Sequence, residues 1–104
     1  MKMIRAVVRP QKEDEVAQAL EDAGFQELRR WNVLEPSGRR RRKAARRAVA
    51  EHSKLCLMLV VPDSDEHKAV ETIHKAARSG QPGDGRIFVS DVLAAHTIRA
   101  AKIE

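Results

Sequence analysis

Six patterned segments, in the order strand, helix, strand, strand, helix, strand, predict an α+β sandwich of the ferredoxin-like βαββαβ class. Two observations carry this. Apolar residues recur at helical spacing in only two stretches, 12–23 and 64–78. Around them stand short runs rich in strand-forming residues, at 2–9, 25–34, 54–61 and 86–90. With 104 residues the chain is expected to be a single domain, 1–104. The doubled strand–helix–strand order suggests a pseudo-twofold fold, although the sequence holds no internal repeat.

The first strand, 2–9, puts Ile4, Ala6 and Val8 on one face and stops at Pro10. In the first helix Val16, Ala19, Leu20 and Ala23 share a face, three acids open it and Gly24 caps it. Phe25, Leu28 and Val33 are the candidate buried positions of the second strand, which also carries Trp31. Glu35-Pro36-Ser37-Gly38 is a turn signal. Seven consecutive apolar residues follow Lys54, so both faces of that strand are expected to be buried. Residues 62–65 offer caps for the second helix, which shows Ala69, Val70, Ile73, Ala76 and Ala77 on one face. Val92, Leu93 and Ile98 suggest one more short strand within 91–99. Two helices can cover one sheet face only. A second copy of the chain is the economical cover for the other, so a homo-oligomer packed through its sheets is expected.

The net charge of +5 is local. Residues 29–47 hold nine Lys or Arg and one acid, which leaves 11 basic and 14 acidic residues elsewhere. Arg39, Arg40, Arg41, Arg42, Lys43, Arg46 and Arg47 crowd one stretch without an apolar face, so 35–53 reads as a projecting basic loop. Such a block binds nucleic acid, an anionic surface or an acidic protein partner. The aromatics Phe25, Trp31 and Phe88 are too few to serve as single-strand stacking platforms. The lone Cys56 lies in an apolar run and reads as a core residue in a reducing compartment. The chain start has no apolar leader and no run is long enough to span a membrane, so a cytoplasmic protein is expected. His52, His67, His74 and His96 lack metal spacing, and no nucleophile–base arrangement stands out. Neither a metal site nor catalysis is expected, and slow ATP hydrolysis has no identifiable base to support it.

Ser79-Gly80-Gln81-Pro82-Gly83-Asp84-Gly85-Arg86 holds three glycines and a proline between helix and strand. Such a turn can cradle a phosphate with its N–H groups, and Arg86 adds a planar cation. It can equally be a plain turn capped by Gly80, with Asp84 as a turn residue.

These residues carry a resemblance. Met1-Lys2-Met3-Ile4-Arg5-Ala6-Val7-Val8-Arg9-Pro10 resembles the amino terminus of the PII nitrogen-regulatory signal proteins. Ala19-Leu20-Glu21-Asp22-Ala23-Gly24-Phe25 and Val60-Val61-Pro62-Asp63 match the family too. The stretch from Ser79 to Val89 is similar to the family's B-loop, TGxxGDGKIFV, and Thr97-Ile98-Arg99 falls where its C-loop begins. The resemblance implies a homotrimer with adenine nucleotide (ATP, ADP or AMP) in the clefts between subunits. It implies that Gly83, Asp84, Gly85 and Arg86 hold phosphates, that Arg99 reaches in from a neighbour, and that Val60, Val61 and Pro62 lie near the adenine. It also implies a regulator of a target protein, such as a transporter or an enzyme, acting through the T-loop at 35–53.

The departures bear on the effectors. Glu35, Ser37 and Arg39 stand where the family has Gly-x-Gly-x-Gln. Arginine has no oxygen to offer magnesium, so magnesium and 2-oxoglutarate are not expected to bind in the family's manner. Lys54 stays as a possible effector contact. The chain has no tyrosine, so the T-loop cannot be uridylylated on one. Gln81 and Thr97 stand at positions that are commonly basic in the family, so weaker triphosphate binding is expected. The alternative is a basic-loop nucleic-acid or anionic-surface binder on the same scaffold, without nucleotide sensing.

Overall fold

Strand β1, Lys2–Val8, alternates as the sequence predicts: Ile4, Ala6 and Val8 are buried, whereas Arg5 is exposed. The computed structural model describes residues 1–34 and 53–102. The turn at 35–38 and the basic residues 39–47 lie outside the described residues. After β1 a short 3-10 turn, Pro10–Lys12, leads into helix α1, Glu13–Asp22. Its three acids stand in the first turn, where the helix dipole favours them.

Helix α1 ends in a Schellman motif. The Gly24 N–H donates to Glu21 O at 2.9 Å and the Phe25 N–H to Leu20 O at 2.9 Å, with Gly24 at φ 96°. Phe25 then packs against the core, and Lys68 Nζ lies 5.5 Å from the centre of its ring. This corner uses up residues 25–28, so strand β2 is shorter than expected, Arg29–Leu34. Arg30 of β2 pairs with Glu13 of α1 at 3.2 Å.

Strand β3, Ser53–Val61, is antiparallel to both β1 and β2. A second 3-10 turn, Asp63–Asp65, precedes helix α2, Glu66–Ala77. The caps expected from 62–65 are not formed by side chains. Asp63 bonds the chain's first nitrogen at 2.8 Å instead. Strand β4, Gly85–Asp91, returns antiparallel to β1. The sheet order β2-β3-β1-β4, with both helices on one face, is the ferredoxin-like arrangement. No helix among the described residues is long and apolar enough to cross a membrane.

The expected strand within 91–99 is not there. Asp91 closes β4, the Val92 N–H reaches Met1 O at 3.1 Å, and the ladder stops. Beyond it Leu93 and Ile98 are 99% and 100% exposed, with no strand among the described residues beside them to pair with. Gly80 is also not the helix cap, because α2 ends at Ala77 and Arg78 is already extended.

The register assigns the two sheet faces. Ile4, Ala6 and Val8 align with Leu59, Leu57 and Leu55 under the helices, and all six are buried. The opposite face carries the rows Trp31–Cys56–Val7–Arg86 and Arg29–Met58–Arg5–Phe88, then Val60–Met3–Ser90. Among the described residues no helix or strand covers this face, although Cys56 in its first row is buried. Trp31 and Val60 are each 42% exposed and Phe88 is 53% exposed, so within the described residues the strand 54–61 buries one face fully and only Cys56 of the other.

Candidate functional site

The glycine-rich stretch is a closed loop built around Asp84. Its carboxylate accepts the Ser79 N–H at 3.0 Å and the Gly80 N–H at 2.8 Å, and it also accepts the Ser79 hydroxyl. The Gln81 N–H donates to Ser79 Oγ at 3.2 Å. From outside, Arg9 Nε donates to Asp84 Oδ1 at 3.3 Å and Arg9 Nη2 to Pro82 O at 2.5 Å. Lys54 Nζ donates to Gly83 O at 2.9 Å. The Ser79 hydroxyl, then the Ser79 N–H, with smaller help from Gly80 and Arg9, hold the Asp84 carboxyl well below the usual carboxylate range against the opposing effect of burial.

That shift has a pH signature. An aspartate in an unfolded chain titrates near about 3.9, above the folded value here, so protons favour the unfolded state. Asp84 therefore contributes its full stability above the ordinary carboxylate pKa and loses it as pH falls through the lower folded value. Asp84→Asn is expected to lower Tm by several degrees at neutral pH, with the gap to wild type narrowing in acid. A gap that stays constant in melts from pH 7 down to about pH 2 would show that Asp84 does not close the loop as a carboxylate.

Two of the three glycines have steric reasons to be glycine. A Cβ on Gly85, at φ 105°, would come 1.7 Å from Val7 O. At Gly83, φ 96°, a Cβ would come 3.1 Å from Arg9 Nη2. Asp84 and Gly85 thus serve the loop's own architecture, whatever else they touch.

Charge is what the loop has left to offer. Asp84 is its only carboxylate, and Arg9 stands against it. Lys54, Arg78 and Arg86 have no carboxylate within ion-pair distance among the described residues. A hollow of about 340 Å³ lies between the end of α2 and the start of β4, lined in part by Arg78, Asp84, Gly85 and Arg86. Val8, Ile73 and Ala77 put this hollow on the helix side of the sheet, whereas the register puts Arg86 and Lys54 on the open side. The loop thus carries cations on both sides, and those cations attract anions.

The other expected site residues lie apart. Val60, Val61 and Pro62 border a second hollow of about 250 Å³ with residues 24–27. Arg86 aligns through Val7 with Cys56, and Val60 lies four residues further along β3, about 13 Å at strand spacing. Arg86 and Val60 share the open sheet face. Val61 points the other way and its side chain is buried in the core. Arg99 sits in an exposed turn, with the Ala100 N–H on Thr97 O at 3.2 Å. No hydrogen bond or ion pair joins it to 79–86 among the described residues. The basic loop residues lie outside the described residues.

Cys56 is buried, and burial pushes its thiol pKa up while Arg5 draws it down by less. His67 pairs with Glu71 at 3.2 Å, and Lys75 pairs with the same acid at 2.9 Å. Among the described residues no three His, Cys, Asp or Glu side chains gather as a metal site. Sequence reasoning did not single out Arg9 or Arg78. Arg9 meets Asp84 across 75 positions, a contact that leaves no local pattern.

Comparison with known proteins bears on the whole chain. The family model described as nitrogen regulatory protein P-II matches residues 1–102. The chain is 42% identical over 102 residues to a nitrogen fixation nifHD region GlnB-like protein 1 of Methanothermobacter marburgensis, covering 95% of this chain and 94% of that one. It is 43% identical over 99 residues to the protein of that name from Methanococcus maripaludis, with the same coverages. It is also 38% identical over 109 residues to a nitrogen regulatory protein P-II of Rhodobacter capsulatus, covering 98% of this chain and 95% of that one.

Proposed function

Because the chain belongs to the nitrogen regulatory protein P-II family, we propose that it is a homotrimeric, non-catalytic signalling protein that binds adenine nucleotide in clefts between its copies. It acts on a target protein of nitrogen metabolism, a transporter or an enzyme, through residues 35–53. The observation that carries this reading is the charge state of the 79–86 loop. Its one carboxylate is offset by Arg9, Lys54 donates to Gly83 O, and Arg78 and Arg86 flank the loop at its two ends, all three without acidic partners among the described residues.

Those cations fit a chain of phosphates. The nucleotide supplies a polyanion whose charge changes with phosphorylation, and the loop reads that charge. Arg86 and Val60 lie on one open face at nucleotide scale, so phosphates at Arg86 place the base toward Val60 and Pro62. A neighbouring copy supplies Arg99 and closes the cleft. Lys54 follows directly on the basic segment and already touches Gly83 O, so it joins the exit of that segment to the phosphate loop. Bound nucleotide then biases the order of 35–53, whose cations dock on an acidic target. Glu35, Ser37 and Arg39 offer no amide oxygen for magnesium, so the response reads nucleotide without 2-oxoglutarate.

Hydrogen exchange across 35–53, measured with and without saturating ATP, tests the switch. Changed protection is the expected result. Identical exchange in the two states would end the switch reading.

A further inference from the structure

We propose that Arg9 is a positioning residue that holds the 79–86 loop in shape and keeps it open to polyanions. The second half of this proposal rests on the nucleotide reading above.

Arg9 stands at a rigid corner. Its backbone is extended, at φ −65° and ψ 136°, between the last residue of β1 and Pro10. Its carbonyl accepts the Lys12 N–H at 3.0 Å. From there the guanidinium reaches three consecutive loop residues. Nη2 binds Pro82 O, Nε binds Asp84 Oδ1, and the group lies against Gly83 closely enough that a Cβ there would come 3.1 Å from Nη2. The planar fork makes two of these bonds at fixed spacing, which a lysine ammonium cannot copy.

The electrostatic consequence is separate from the steric one. Asp84 is the loop's only carboxylate, and it organises Ser79 and Gly80. Arg9 is the sole cation paired with it among the described residues. Without Arg9 the loop keeps its acid and loses the charge that offsets it, beside Arg86 and Lys54. A bound anion would then meet an uncompensated carboxylate, and the penalty would grow with the anion's charge. Loss of shape weakens all nucleotides alike, whereas loss of charge balance weakens ATP more than ADP and ADP more than AMP.

The test uses the full chain with Arg9→Gln, Arg9→Lys and the double variant Arg9→Gln/Asp84→Asn. Hydrogen exchange without nucleotide reads loop shape, and calorimetry with ATP, ADP and AMP reads charge. In Arg9→Gln the amides of 79–84 are expected to exchange about tenfold faster, with β1 and β3 unchanged. ATP affinity is expected to fall about tenfold and AMP affinity by less. Arg9→Lys should keep the wild-type ATP-to-AMP ratio while leaving the loop loosened, and the double variant should recover that ratio. Unchanged loop exchange in Arg9→Gln, or equal losses for ATP and AMP, would overturn the corresponding half. If the wild type binds no nucleotide, the functional reading falls, and loop exchange alone decides the role of Arg9.

Discussion

Gly85→Ala is expected to cost more than about 3 kcal/mol and to free β4 from the sheet. Two effects add. At φ 105° an alanine is strained wherever it sits. Here its Cβ would also fall 1.7 Å from the Val7 carbonyl oxygen, a backbone atom that cannot swing aside. Val7 lies in β1, a central strand held on both sides by β3 and β4, so relief has to come from β4. Gly24→Ala is the matched control. It has a similar φ of 96° but no atom within 4 Å of the added Cβ, so it should cost only about 1–2 kcal/mol. Chemical denaturation of both variants decides the matter. Equal losses would mean that backbone conformation alone sets the requirement at Gly85.

Phe88→Glu is expected to turn the proposed trimer into a monomer. Phe88 is 53% exposed on the open sheet face, in the row Arg29–Met58–Arg5–Phe88. That face also shows Trp31 and Val60, and exposed large apolar side chains on one sheet face suit an interface between copies. A carboxylate there has to lose its water when copies meet, which costs several kcal/mol per ion in a buried setting. Within the single chain the new acid faces Arg5 across the ladder, so the fold should survive. Sedimentation at micromolar concentration should show a folded monomer, with nucleotide affinity lost along with the shared clefts. A variant that still sediments as a trimer would place the interface elsewhere.

The contrast between β1 and 91–99 shows what was legible beforehand. Alternation in Ile4, Ala6 and Val8 named the buried face of β1, because a strand with one covered face must alternate. Val92, Leu93 and Ile98 were read as a strand on hydrophobicity alone. Among the described residues the edge strand β4 has no further neighbour for them to pair with, and Leu93 and Ile98 stay exposed. The run 54–61 was read as buried on both faces. Leu55, Leu57, Leu59 and Val61 are buried on one face and Cys56 on the other, whereas Val60 is 42% exposed among the described residues.

The 79–86 loop was legible as a stretch but not as a mechanism. Its glycines and Asp84 marked a special turn. That Gly85 answers to Val7 O, and Asp84 to Ser79 and Arg9, depends on contacts between distant segments. Arg9 left no signal, because a basic residue before a proline is ordinary. Val61 was grouped with Val60 as a site residue, yet strand parity sends its side chain into the core.

Calorimetric titration of the purified protein with ATP, ADP and AMP, each with and without magnesium and 2-oxoglutarate, tests the central claim most directly. The expected result is adenine-nucleotide binding that is abolished in Arg86→Ala and unaffected by 2-oxoglutarate. The absence of any nucleotide binding by the wild-type protein would contradict it.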